Sequence, residues 1–228
     1  LHVAVAGRRH HCVPALLQTA VHAGPANGRG VTPFALASAA GDGTADDDIP
    51  RGTTVVARPF LFLSLDLPPT PLFQSAQDGK SIIPQVPLVS CLTKFDGTSF
   101  QEMMNGDRRQ YVITKLPKYL VVHIKRFSKN TQQFVEKNPT IVNFPVRNLE
   151  MGPYARLADG EREKGTKYHL MCSTQHDGPP EGGTYRTFVH FKSNDQWYEV
   201  QDLHVNNVHP QLISVSESYI QFYDAAQS

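Results

Sequence analysis

The chain is short of cysteine and has no surplus of charge of either sign. Its three cysteines, Cys12, Cys91 and Cys172, are too far apart for a C-x-x-C pair, which excludes a zinc knuckle and a thioredoxin-type redox motif. Reduced thiols of an intracellular protein are expected. Lys and Arg number 22 against 21 Asp and Glu, a formal net charge of +1, so no long-range field announces nucleic acid, an acidic partner or a membrane surface. Runs of about 18 apolar residues are missing too, so no membrane-spanning helix is expected. The opening "LHVAVAGRRHHC" sets its apolar patch before its arginines, the reverse of a secretory signal, and the first residue is not Met; a fragment is expected.

What is present divides near residue 57. Residues 1–57 are rich in Ala and Gly; Val13–Ala23 fits one short helix, with Pro14 in its first turn and Gly24 after its end, and the rest reads as linker or the remnant of a larger lobe. From Arg58 to residue 225 the texture is of strand-length apolar runs punctuated by Pro, Gly and Asn. "FLFLSLDL" alternates its leucines with Phe60, Phe62, Ser64 and Asp66, and the prolines after it end the strand. "YLVVHIKRFS" puts Leu120, Val122 and Ile124 on one face. "TIVNFPV", "KYHLMCSTQH", "TYRTFVHFK", "QWYEVQD" and "SYIQFYD" add further strands. Helix is expected only within "LTKFDGTSFQEMMNG", where Asp96 or Thr98 could cap it, and around Gln211 to Ser216. The sum is an α+β architecture built on a mostly antiparallel sheet.

Several groups invite a functional reading. "RRHHC" has metal-ligand types, yet adjacent ligands need a second pair to close a tetrahedral site and none is visible, so no metal or cofactor is expected. Lys115, Lys118, Lys125, Arg126 and Lys129, interleaved with Tyr119 and Phe127, could suit RNA; a solvated sheet face is the simpler reading, and no sequence-specific nucleic-acid binding is expected. Glu161, Arg162, Glu163 and Lys164 read as an exposed loop, and Trp197 with Tyr198 as sheet packing.

"KLPKYLVVHIKRF", "VNFPV", "YHLMCSTQHDGPPEGGTYRTFVH" and "QWYEVQDLHV", in that order, resemble the C-terminal fingers and palm half of the ubiquitin-specific protease domain, a papain-like cysteine protease fold. "FLSLDLPPTPLF", "IIPQVPL" and "FVEKNPTIVNFPV" are most similar to the catalytically inactive branch of that family that works in pre-mRNA splicing. Active members carry a histidine before the Tyr of a Gly-His-Tyr element and an aspartate after the Trp-Tyr strand. The resemblance puts Thr184 and Gln201 at those two positions, so no catalytic residue is expected here. A threonine hydroxyl has no basic form near pH 7, and Asp202, one residue along, points to the other face. His190, six residues beyond Thr184 on one strand, stands about 20 Å away and cannot serve as the base. His176 matches a second family histidine with a structural part. The Gly-Asn-Thr-Cys element of the nucleophile is not in this chain, and the flanks of Cys12 do not match it.

The resemblance therefore implies a nuclear, non-catalytic scaffold for proteins of the spliceosomal tri-snRNP, with ubiquitin bound weakly. The competing implications are a deubiquitinating cysteine hydrolase and a ubiquitin-binding module without hydrolysis. A metal-free fingers region packed through Leu88 and Phe95 is also implied.

Overall fold

The computed structural model describes residues 34–41, 54–69, 83–102, 108–129, 132–157 and 165–226. In chain order its strands are β1 (Phe34–Gly41), β2 (Thr54–Phe60), β3 (Leu63–Asp66), β4 (Gln85–Pro87), β5 (Asp96–Glu102), β6 (Arg108–Ile113), β7 (Tyr119–Lys125), β8 (Phe127–Lys129) and β9 (Val135–Lys137). There follow β10 (Ile141–Asn143), β11 (Leu149–Glu150), β12 (Lys167–Asp177), β13 (Thr184–Phe191), β14 (Gln196–Gln201), β15 (His204–Val208), β16 (Val215–Ser216) and β17 (Ser218–Ala225). Among the described residues two short α-helices, α1 (Leu88–Leu92) and α2 (Pro210–Ile213), and two 3-10 turns, Thr93–Phe95 and Gly152–Tyr154, complete the α+β fold.

The largest sheet runs β15-β14-β13-β12-β17-β7-β3, with β11 on β12, and only the β7–β3 pair in it is parallel. A second sheet, β2-β1-β6-β5, is antiparallel throughout. Small sheets β16-β10-β4 and β8-β9 fill the rest. Strand alternation drives the core: Leu63 and Leu65 of β3, Leu120, Val122 and Ile124 of β7, and Trp197 of β14 are buried in one cluster with Leu88 and Leu92 of α1 and Phe95.

At the end of β7 the chain turns on Arg126. This guanidinium is 1% exposed; Nε donates to the Ser218 carbonyl at 2.6 Å, and Nη1 to those of Asn138 and Thr140 at 3.0 and 2.6 Å. One side chain thus ties the β7–β8 corner to β17 and to the entry of β10, giving donors to one carbonyl of β17 and two of the loop before β10. "YLVVHIKRFS" is accordingly two strands split at Arg126, where a single one was expected.

Other expectations are corrected as well. Residues 34–41, read as linker, form β1, which pairs with β2 and β6, and β2 crosses position 57. Ladder bonds belong to the backbone, so an Ala-rich segment without apolar bulk can still be a strand. "FLFLSLDL" is not one strand: it bends at Leu61 and Phe62 as the chain leaves one sheet for the other. Of the helix expected from Leu92 onward only one 3-10 turn forms among the described residues, Thr93–Phe95, directly after α1, and Asp96 begins β5. Its carboxylate accepts from the Thr98 and Ser99 amides at 2.7 and 2.8 Å inside a turn where Gly97 holds a φ of 73°, so it closes a turn and caps no helix. The Val13–Ala23 helix, "RRHHC" and residues 161–164 lie outside the described residues.

Candidate functional site

The site sits where β12, β13 and β14 end together. Gly178 and Gly182, with φ of 92° and 104°, bend the β12–β13 connection through a backbone region open mainly to glycine. Gly183 then presses against His176: a Cβ there would lie 2.3 Å from the imidazole Nε2. His176 is fully buried, with its ring edge-on to Phe127 and Tyr185 at 5.1 Å each, and this packing is the structural part expected of it.

Thr184 opens β13 directly opposite Asp177 of β12. Across β14, Gln201 Nε2 donates to Thr184 Oγ1 at 3.3 Å, so the two residues singled out from the sequence do meet. Thr187 faces Val200, which sets Arg186 and Gln201 opposite each other one pair further on. Arg186 donates from Nε and Nη2 to Asp177 Oδ2 at 3.0 and 2.8 Å, and from Nη1 to Glu199 Oε1 at 3.3 Å. Gln175 Nε2 reaches the other Asp177 oxygen at 3.3 Å. Sequence reasoning missed this arginine-centred group, although period two already puts Gln175, Asp177, Thr184, Arg186, Glu199 and Gln201 on one face.

Chemically the patch holds itself together: it has no imidazole, and both of its carboxylates are engaged by Arg186. Thr184 cannot take a proton near neutrality, and a fixed guanidinium opposes a second cation such as imidazolium beside it. Asp202 leaves the strand at φ 53°, in the two-residue turn to β15, and does not face Thr184 in β-ladder geometry. His190, at the far end of β13, stacks on Trp197 at 5.0 Å and meets Asp195 Oδ1 at 2.8 Å. Trp197 is 4% exposed and is a core residue.

Neither described thiol is poised as a nucleophile. Burial pushes Cys172 up to about 11 despite a hydrogen bond from Thr174, and burial with the Asp66 charge also raises Cys91. The basic run does not form one face: Arg126 is internal and Lys125 is held by Asp66 at 2.8 Å. Among the described residues no group of three or more His, Cys, Asp or Glu could hold a metal ion, and no helix is long and apolar enough to cross a membrane.

The ubiquitin carboxyl-terminal hydrolase family matches residues 21–223. The chain is 43% identical over 173 residues to ubiquitin carboxyl-terminal hydrolase 39 of Mus musculus and of Homo sapiens, covering 75% of itself and 30% of each. It is 38% identical over 172 residues to the probable mRNA-splicing protein ubp10 of Schizosaccharomyces pombe, covering 73% of itself and 34% of that protein. It therefore spans about a third of the length of these relatives, 30 to 34%. Among solved structures, the SAGA Ubp8/Sgf11/Sus1/Sgf73 DUB module bound to ubiquitin aldehyde superposes with a TM-score of 0.65 at 21% identity, over 95% of this chain and 48% of that one. An essential yeast splicing factor superposes with a TM-score of 0.58 at 23% identity, over 86% and 42% of the two chains. Those two likenesses speak for the fold, the papain-like one expected. With a match running from residue 21 to residue 223, this chain belongs to the ubiquitin carboxyl-terminal hydrolase family.

Proposed function

We propose that the protein is a non-catalytic scaffold of pre-mRNA splicing, built on a ubiquitin-specific protease domain whose chemistry has been lost. The observation that carries this is the Gln201–Thr184 hydrogen bond of 3.3 Å at the positions the family resemblance gives to its aspartate and histidine. Two polar side chains that could neither accept nor relay a proton keep the cross-strand contact of a dyad and none of its function. Arg186, fixed by Asp177 and Glu199, occupies the neighbouring space with a permanent cation. The splicing assignment is supported by the name of the fission-yeast relative; a nuclear location and partners among the proteins of the tri-snRNP are part of this proposal. Ubiquitin is a weak ligand on this reading, and the hydrolase alternative has no imidazole at Thr184 to work with.

The test is depletion of the full-length protein from nuclear splicing extract followed by add-back. Wild-type protein and a Thr184→Ala/Gln201→Ala variant should restore splicing of a reporter transcript equally. Restoration by the wild type alone, accompanied by release of ubiquitin from a fluorogenic conjugate, would contradict the proposal.

A further inference from the structure

The large sheet ends differently on its two sides. At one edge β3 has four residues, and Asp66 is clamped by Lys94 and Lys125 at 2.6 and 2.8 Å before Pro68 and Pro69 stop the strand. Short length, charge and proline are the usual means by which an edge is kept from pairing with another chain. At the other edge β15, one residue longer and likewise followed by a proline two positions on (Pro210), differs in carrying no charge. Its sequence, His-Val-Asn-Asn-Val, contains no Lys, Arg, Asp, Glu or Pro, and its five pairs with β14 run without a bulge. Four of its five residues are exposed, and among the described residues no strand lies on its outer side.

The geometry of that rim follows from the turn. Asp202 and Leu203 form a two-residue loop, so the flanking Gln201–His204 pair is the hydrogen-bonded one and the pairs alternate from there. The amides and carbonyls of Val205 and Asn207 therefore point away from β14, toward open space. On one face the rim offers Val205, next to Val200 and to Leu203, which is 97% exposed. On the other face it offers His204 and Asn206, beside Gln201 and Glu199.

We infer that β15 is a docking edge on which an extended, uncharged segment of a partner protein adds as a further strand, its alternate apolar side chains beside Val205 and Leu203. Backbone bonds supply such binding and the alternate side chains its selectivity. A second copy of this chain is the poorer occupant. Two five-residue edges cover far less than the ~1,200 Å² of a stable interface. Joining two paths of seven strands would also exceed the ~10 at which open sheets ordinarily stop. The inference deepens the scaffold reading and rests on it for the partner's being a splicing protein; the edge itself is tested apart from that.

A library of random ten-residue peptides displayed on phage is panned on the full-length protein. Enriched peptides are synthesised and measured against wild type and Val205→Pro, in which the lost amide faces outward and the β14 ladder is spared. Val205→Lys, which keeps every backbone group and adds an edge charge, is the second variant should the proline disturb folding. The expected result is peptides of low charge with alternating apolar residues, slowed hydrogen exchange at Val205 and Asn207 on binding, and about ten-fold weaker binding to either variant. Failure to enrich any peptide, equal binding to the variants, or unchanged exchange at those two amides overturns the proposal. So does a wild-type dimer in sedimentation that Val205→Lys dissociates, since the occupant is then a second copy. Peptide binding without function in the splicing extract would remove the scaffold reading and leave the edge standing.

Discussion

Replacing Arg126 by lysine keeps the charge and removes the fork. The guanidinium donates in two directions, from Nε to Ser218 and from Nη1 to Asn138 and Thr140. A single ammonium at the end of a flexible stem can serve one of those directions, which leaves at least one buried carbonyl of a neighbouring strand without a donor. Each such orphan costs about 1–3 kcal/mol, so Arg126→Lys should lose about 3 kcal/mol. Arg126→Met, which strands all three acceptors, should lose about 4–5 kcal/mol. For a domain of this size 3 kcal/mol corresponds to a fall in Tm of about 6–12 °C. The loss should reach the site as well, because the corner carries Phe127, whose ring packs on His176 next to Gly183. Thermal scans and urea titrations of the three proteins supply the numbers. A shift under about 2 °C for Arg126→Lys, or a methionine variant as stable as the wild type, would refute the bonding scheme drawn for this corner.

Three further outcomes are expected. Thr184→His combined with Gln201→Asp should yield no ubiquitin release from this chain, which has no Gly-Asn-Thr-Cys element, and any turnover in a fluorogenic assay would count against the site description. Burial, aided by the charge of Lys125, pulls the His123 imidazole from 6.5 down to about 4. The unfolded chain then takes up that proton first: stability is full above pH 6.5 and falls as pH drops toward 4, by at most about 3 kcal/mol. His123→Phe should remove that part of the acid sensitivity in Tm measured against pH. Gly183→Ala drives a Cβ to within 2.3 Å of the His176 ring and 2.4 Å of the Asp177 carbonyl, and should cost about 3 kcal/mol in urea unfolding.

The parts of the fold that could be read in advance are those where period two meets burial. Leu120, Val122 and Ile124 of β7, and Tyr168 and Leu170 of β12, show it plainly because one face of each is in the core, whereas β17 is buried on both faces over Ser218–Gln221. β1 could not be read that way, since ladder bonds leave no mark in an Ala-rich composition. The Leu61–Phe62 bend and the corner at Arg126 were hidden for another reason: both interrupt an apolar pattern that continues through them, and only the partners across space force the turn. At the site, the motif order located Thr184 and Gln201, and the structure joins them. Arg186 escaped notice because no motif marks it; its part depends on Asp177 and Glu199 arriving from two neighbouring strands.

The most direct test of the central claim is affinity purification of the full-length protein from nuclear extract, with co-purifying proteins and RNA identified and the eluate assayed on a ubiquitin conjugate. A non-catalytic splicing scaffold predicts tri-snRNP components in the eluate and no hydrolysis that tracks with the protein. Hydrolysis that follows the protein through purification, with no splicing components beside it, would contradict that claim.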